Sequence, residues 1–234
     1  MKVIGIIGYK KTGKTTLGLK LSKEFSDMGY RVGVIKHAGH LDFLKKDTAK
    51  FKEFATVVAA VSPEETEVVI KGKKSVEEML KYFDCDIVVA EGFKTQKTFP
   101  KILCIKNKEE EKELSDGLEL FTASFDKEIS DFDIANDQDV RKMAVIAFEK
   151  AFKLPGLDCS QCGYESCYYL AREIVGGKES VDSCISLNPP VNVEVDGQPF
   201  PLNHYTSNLF KNIITAMVSS LKGFRKGKIK IEIP

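Results

Sequence analysis

Gly8-Tyr9-Lys10-Lys11-Thr12-Gly13-Lys14-Thr15 follows the apolar run Val3-Ile4-Gly5-Ile6-Ile7 and opens a stretch, Thr15 to Met28, in which Leu17, Leu21, Phe25 and Met28 recur at helical spacing. A buried strand, a glycine loop and a helix in that order is the context in which G-x-x-x-x-G-K-[ST] has a mechanical meaning. Gly8 and Gly13 let the chain curl so that successive N–H groups face inward. The helix start adds its partial positive charge. Lys14 supplies a full charge for β- and γ-phosphates, Thr15 a hydroxyl for a magnesium shell, and Thr16 a contact to an α-phosphate. Lys10, Lys11 and Thr12 complete the loop. The segment therefore reads as a binding site for a purine nucleoside triphosphate with Mg²⁺.

Outward from the loop, Gly29 ends the helix and Arg31 to Lys36 reads as a second strand. Thr48 to Ala55 reads as helical, Thr56 to Val61 and Glu67 to Ile70 as strands, and Ser75 to Phe83 as a helix with a Ser75/Glu78 capping box. Asp86 to Ala90 is a further apolar strand, and Lys101 to Ile105 and Leu118 to Thr122 are shorter ones. Gln138 to Phe152 carries Val140, Met143, Ala144, Ala147, Phe148 and Ala151 at helical spacing. The Lys/Glu run from Lys106 to Glu113 is a solvated loop or helix start. Strands alternating with helices imply an α/β fold, a mostly parallel sheet with helices on both faces.

The chain has 234 residues, a net charge of +1 and 43% hydrophobic residues. That is enough for one ordinary domain with a core and a smaller second module, and no charge excess points to nucleic acid or an anionic membrane. No apolar run reaches membrane-spanning length and the N-terminus lacks a secretory pattern, so a cytoplasmic location is expected.

Three further segments agree with the loop on one family. Val34-Ile35-Lys36-His37-Ala38-Gly39-His40 follows the second strand, with Asp47-Thr48 shortly after; Glu91-Gly92-Phe93-Lys94 follows the strand Asp86 to Ala90; Phe99-Pro100-Lys101-Ile102 comes next. In this order they resemble the molybdopterin-guanine dinucleotide biosynthesis protein B (MobB) family over about residues 1 to 150. The resemblance implies a SIMIBI-like P-loop NTPase fold, usually dimeric, binding GTP with Mg²⁺ and hydrolysing it weakly. It implies work beside a molybdopterin guanylyltransferase, with molybdo- or tungstoenzymes as clients. It places Lys14 and Thr15 on phosphate and magnesium, Glu91 beside magnesium or an ordered water, and Asp47 as a second candidate for that shell. It sets Lys36, His37, His40 and Lys94 on a loop facing a pterin or a partner. Glu91 at a strand's carboxyl end also follows from where ligands gather in open α/β sheets. The sequence lacks a clear Asn-Lys-x-Asp guanine-reading motif; Ile105-Lys106-Asn107-Lys108 and Ala135-Asn136-Asp137 only echo it, so guanine over adenine rests on the resemblance.

Leu154-Pro155-Gly156 marks a boundary, dividing the chain into residues 1–153, 154–190 and 191–234. Cys159, Cys162, Cys167 and Cys184 lie within 26 residues of one another. In a reducing compartment four thiolates so placed bind metal. Leu154 to Cys167 resembles the four-cysteine [4Fe-4S] domain of corrinoid iron–sulfur proteins and of an electron-transport complex subunit, with Zn²⁺ as the alternative occupant of four thiolates. Cys85 and Cys104 read as small core residues. Beyond Pro190, Val191 to Val195 and Pro199 to Pro201 form a hairpin around Asp196-Gly197, Ser207 to Leu221 a helix and Lys228 to Ile233 a final strand, a small α+β extension. The competing functional readings are a GTPase accessory of cofactor assembly, a non-hydrolysing docking module, and an ATP-dependent electron-transfer or cluster-carrier protein.

Overall fold

The computed structural model describes residues 1–38, 50–51, 53–187, 189–200, 202 and 204–231. Its elements in chain order are β1 (Lys2–Gly8), α1 (Lys14–Asp27), β2 (Val32–Lys36), β3 (Val57–Val61), β4 (Thr66–Ile70), α2 (Val76–Leu80), β5 (Ile87–Glu91), β6 (Lys101–Cys104), α3 (Lys108–Leu114), β7 (Glu119–Ser124), β8 (Phe132–Asp133), α4 (Asp137–Lys150), α5 (Cys167–Val175), β9 (Val193–Val195), β10 (Gln198–Phe200) and α6 (His204–Ser219).

Six strands form one sheet in the order β2-β5-β1-β6-β7-β8, and every pairing in it is parallel. Strands buried on both faces need near-continuous apolar sequence, and β1 supplies it, with Val3 to Gly8 all buried. One face is covered by α1 and α4, where Leu17, Leu21 and Phe25 meet Val140, Met143, Ala144 and Ala147. The three α1 side chains are fully buried, and each such side chain contributes about 1.5–3 kcal/mol by leaving water. The other face is covered by α2, which sets Val76 and Leu80 against Val3, Ile35, Val88 and Phe99, and by α3, which brings Leu114 onto Ile7, Leu103 and Ile105. The fold class is the one expected.

The local chemistry agrees in detail. The Ser75/Glu78 capping box is formed at the start of α2. Asn107 and Asn136, which looked like fragments of a base-reading motif, cap α3 and α4 with their side-chain oxygens. Asp196 and Gly197, at φ 52° and 73°, make the left-handed turn that joins β9 to β10.

Other expectations need correction. Met28 lies past the end of α1 and is 40% exposed, so it is no part of the buried stripe. β3 and β4 leave the parallel sheet and pair with each other as an antiparallel ribbon. Of the strand expected at Lys228 to Ile233, residues 228–231 are not in strand conformation, and residues 232 and 233 lie outside the described residues. Cys104 is buried in the core, but Cys85 is only partly so. Of the helix expected at Thr48 to Ala55, Lys50 and Phe51 are helical and residues 48, 49 and 52 lie outside the described residues.

The cysteine-rich segment packs on the sheet domain through a shared core of Leu118, Phe152, Leu154, Cys167, Leu170, Ala171 and Cys184. Beside it runs a line of buried polar contacts. Lys101, fully buried at the start of β6, donates to Asp116 Oδ2 at 2.6 Å and to the Lys94 carbonyl at 3.0 Å. Lys97 reaches the same carboxylate oxygen at 2.7 Å, and Tyr168 of α5 donates its hydroxyl to the Asp116 carbonyl at 2.6 Å. Burial pushes the Asp116 carboxyl up, but the two ammonium groups more than offset this and hold it below the ordinary value.

Asp116→Ala leaves the Lys101 ammonium buried and unpaired, and is expected to lower stability by about 3–5 kcal/mol in denaturant unfolding. Because the folded carboxyl titrates below the unfolded one, its contribution is complete above about pH 4 and is lost as pH falls through the lower folded value. Wild-type and Asp116→Asn stabilities should therefore converge on acidification; a gap independent of pH between 6 and 2 would contradict the assignment.

Candidate functional site

The loop between β1 and α1 sits at the carboxyl edge of the sheet. Gly13 caps α1 at φ 90° without any side-chain hydrogen bond, so the first N–H groups of the helix are left to whatever occupies the loop. A Cβ at Gly13 would lie 2.8 Å from the Phe125 ring, and one at Gly8 would collide with the Cys104 carbonyl. Both positions therefore require glycine. Lys11, also in the left-handed region at φ 61°, keeps the loop curled. Thr12 is buried and donates to the Tyr9 carbonyl at 3.1 Å. A cavity of about 180 Å³ lies over Lys11, Thr12, Gly13, Lys14, Thr15 and Thr16. Lys14 folds back to donate to the Tyr9 carbonyl, a contact that a stronger acceptor can displace.

Strand register explains the polar centre. β5 lies between β1 and β2, so Glu91 is level with Ile6 on one side and with Lys36 on the other. Glu91 Oε1 accepts from the Thr15 hydroxyl at 2.9 Å. Lys36 Nζ stands 3.1 Å from Glu91 Oε2 and donates to Thr15 Oγ1, also at 3.1 Å. The Glu91 side chain is only 12% exposed. The chain then turns sharply at Gly92, φ 90°, whose N–H donates to the Ile6 carbonyl at 2.9 Å. His37 donates its main-chain N–H to the Glu91 carbonyl, and its ring meets Phe93 edge-on with centroids 5.7 Å apart. Asp47 and His40 lie outside the described residues.

Lys94 lies with Nζ 3.6 Å from the centroid of the Tyr9 ring. Burial and then the neighbouring Lys14 lower its pKa, the mark of cations crowded around one corner. Sequence reading missed the struts of this corner: Tyr9 donates its hydroxyl to Glu113 at 2.6 Å, and Lys106 Nζ donates to the Lys10 carbonyl at 3.1 Å. Both struts come from the Lys/Glu run. Its charge pattern marks a helix, but which side chains reach the loop depends on β6 lying next to β1.

The second constellation is built by a tight loop and by α5. Asp158, Ser160 and Gly163 have φ of 44°, 56° and 87°, bending the chain around Cys159 and Cys162. Cys167 opens α5 and Cys184 follows a short 3₁₀ turn at Val181–Ser183. Cys167 and Cys184 are buried, while Cys159 and Cys162 are half-buried. Burial raises the Cys167 thiol, opposed by main-chain hydrogen bonds from Asp158, Gly156 and Leu157. Burial likewise raises Cys184, opposed by those from Leu187 and Ser186. Four thiols within 26 residues, two of them buried against Leu118, Leu154 and Leu170, are a donor set that fits an iron–sulfur group. Among the described residues no three His, Cys, Asp or Glu side chains gather around a point suited to a single metal ion.

Comparison with known proteins places both constellations in context. Residues 3–123 match the family described as "Molybdopterin guanine dinucleotide synthesis protein B". Residues 154–186, which include all four clustered cysteines, match the family described as "Putative Fe-S cluster". The whole chain is 31% identical over 244 aligned positions to a protein of Methanocaldococcus jannaschii named "Putative molybdopterin-guanine dinucleotide biosynthesis adapter protein", covering 97% of it. Over 110 residues the chain is 37% identical to the "Molybdopterin-guanine dinucleotide biosynthesis adapter protein" of Haemophilus influenzae, which is 43% of this chain and 61% of that one. The crystal structure of Bacillus subtilis MobB superposes with a TM-score of 0.53 at 20% identity, covering 62% of this chain and 98% of that one, a likeness of fold. With a family match spanning more than half of the chain and a relative from Methanocaldococcus jannaschii aligned from end to end, this protein belongs to the molybdopterin-guanine dinucleotide synthesis protein B family.

Proposed function

We propose that this chain is a GTP-binding adapter in the synthesis or delivery of the molybdopterin guanine dinucleotide cofactor, a weak GTPase that also carries a [4Fe-4S] cluster. The observation that carries the nucleotide half is the Lys36–Thr15–Glu91 network beside the uncapped start of α1. A triphosphate seated on the N–H groups of residues 13–16 draws Lys14 from the Tyr9 carbonyl. Thr15 and Glu91, now 2.9 Å apart, are the residues that would hold Mg²⁺, which would supply charge neutralisation at the phosphates, and the Glu91 carboxylate would orient a water. Lys36 keeps that carboxylate oriented. Lys94 adds charge at the rim. Asp47 belongs to the same proposed shell, and His37 and His40 to a loop facing pterin or partner. Guanine preference, a homodimer, a cytoplasmic setting and a guanylyltransferase partner belong to the same proposal, and family membership supports them.

The cluster half rests on the four clustered cysteines, the family match over residues 154–186 and the burial of Cys167 and Cys184. A bound [4Fe-4S] cluster supplies one-electron chemistry or a structural pin. The chain's own part is to present four thiolates, shield two of them from water and anchor α5 on Leu118 and Phe152. The proposed division at residues 153 and 190 then separates nucleotide domain, cluster module and extension.

Lys14→Ala should weaken Mg-GTP binding at least about tenfold, as the loss of a charge-assisted contact requires, in titration calorimetry. Affinity equal to wild type would remove Lys14 from the site, and preference for ATP would overturn the guanine assignment. Glu91→Gln should bind GTP but lose its Mg²⁺ dependence and its slow hydrolysis. Wild type that binds GTP with no turnover would favour a docking module over a GTPase.

Cys167→Ser should reduce iron and acid-labile sulfide per chain after anaerobic purification and lower the melting temperature of the full chain. Zinc without sulfide in the wild-type protein would replace the cluster by a Zn²⁺ site.

A further inference from the structure

The two constellations are joined by one stretch of chain. Residues 92–100 leave Glu91 at the nucleotide corner and return into β6, and both ends of this connection are tied down. Near its start, Lys94 places Nζ over the Tyr9 ring of the phosphate loop at 3.6 Å, while its carbonyl accepts from Lys101 Nζ at 3.0 Å. Lys101 passes the contact to Asp116 at 2.6 Å, and the Asp116 carbonyl accepts from the Tyr168 hydroxyl at 2.6 Å. Tyr168 is the residue after Cys167. On the other flank Thr98 accepts from Lys153 Nζ at 2.8 Å through its hydroxyl and from the Leu154 N–H at 2.8 Å through its carbonyl. Leu154 packs in the same core as Cys167 and Cys184.

Each link is short, and the middle of the chain is buried. Lys101 is fully enclosed and the Asp116 side chain is 15% exposed. Neither group can exchange its partner for water without stranding a charge. The Asp116–Gly117 turn is itself confined, since Gly117 has φ 82° and a Cβ there would lie 2.6 Å from Arg172 Nε of α5. A displacement at Lys94 therefore reaches α5 through Lys101 and Asp116, and the same connection meets Asp116 and Tyr168 again through Lys97, 2.7 Å from the carboxylate and 4.7 Å from the ring centroid.

We infer that the Lys101–Asp116–Tyr168 chain links nucleotide occupancy of the phosphate loop to retention of the iron–sulfur cluster. The inference rests on the nucleotide and cluster assignments proposed above. Phosphates in the loop attract Lys14 and Lys94 together and order the 92–100 connection. That holds Lys101 and Asp116, and through them Tyr168 and the first turn of α5, so the cluster ligand at its start opens less often. Linkage makes the effect reciprocal, and the cluster in turn tightens nucleotide binding.

The test uses the full-length protein with its cluster, prepared anaerobically, and follows iron transfer to a ferrous chelator with and without Mg-GTP. Direct nucleotide binding and iron and sulfide content are measured on the same sample. In wild type the nucleotide should slow iron release at least about fivefold. In Tyr168→Phe, which keeps the ring and loses only the hydroxyl, the ratio should fall below about twofold, with iron content close to wild type and nucleotide affinity close to that of the cluster-free wild-type protein. Lys23→Met, which removes an exposed charge near the end of α1 that pairs with Asp27 in the i,i+4 position and lies outside this route, should keep the wild-type ratio. Equal wild-type release rates with nucleotide bound overturn the coupling without needing any variant. A full ratio in Tyr168→Phe, or its loss in Lys23→Met, overturns the route. A wild-type protein that binds no nucleotide, or holds no iron and sulfide, fails at the functional reading itself, which the binding and metal assays show before any rate is taken.

Discussion

The parallel register that sets Glu91 level with Ile6 and Lys36 is the constraint on which the nucleotide corner depends. Side chains at the carboxyl ends of adjacent parallel strands emerge together, at the edge where the loop after β1 also emerges. Thr15, Lys36 and Glu91 come from three different segments, and only this register brings them within hydrogen-bond distance. The central place of β1 and β5 in turn follows from their continuous apolar sequence, because each strand must be buried on both faces. A polar residue within Val3 to Ile7 would damage the site without touching it.

Much of this was legible in the residues. The loop declares itself through two glycines, a lysine and a threonine at fixed spacing, and the structure gives the reason in the contacts a Cβ would meet at Gly8 and Gly13. Helices α1 and α4 follow from apolar spacing and α2 from its cap. What stayed hidden is what depends on strand order. Nothing in the sequence says that β3 and β4 leave the sheet, that Tyr9 meets Glu113, or that Lys101 is enclosed. A lysine opening an apolar strand is a signal, but its meaning needs Asp116, which comes from the turn before β7 on the neighbouring strand. The echoes of a base-reading motif failed for a related reason: Asn is equally suited to capping helices, and that is what Asn107 and Asn136 do.

The cysteine module shows the same division between composition and context. Four clustered thiols announce metal chemistry, but not what the rest of the segment packs against. Its core borrows Leu118 from the edge of the sheet and Phe152 from beyond α4. So short a segment buries little surface alone, and its stability therefore depends on a docking face that belongs to another part of the chain.

That shared core bears on why charge is buried between the modules at all. An apolar residue at position 101 would pack against Phe99 and Leu118 with no desolvation cost, and buried ion pairs are poor sources of stability compared with such packing. What the lysine adds is direction. Its ammonium group accepts only partners with the right geometry, here the Lys94 carbonyl and the Asp116 carboxylate, and so it fixes where the loop after β5 lies relative to the turn before β7. Tyr168 then fixes α5 to that same turn. An apolar contact would hold the modules together and let them slide, whereas directional bonds hold the loop, the turn and the cysteine-bearing helix in one relative position.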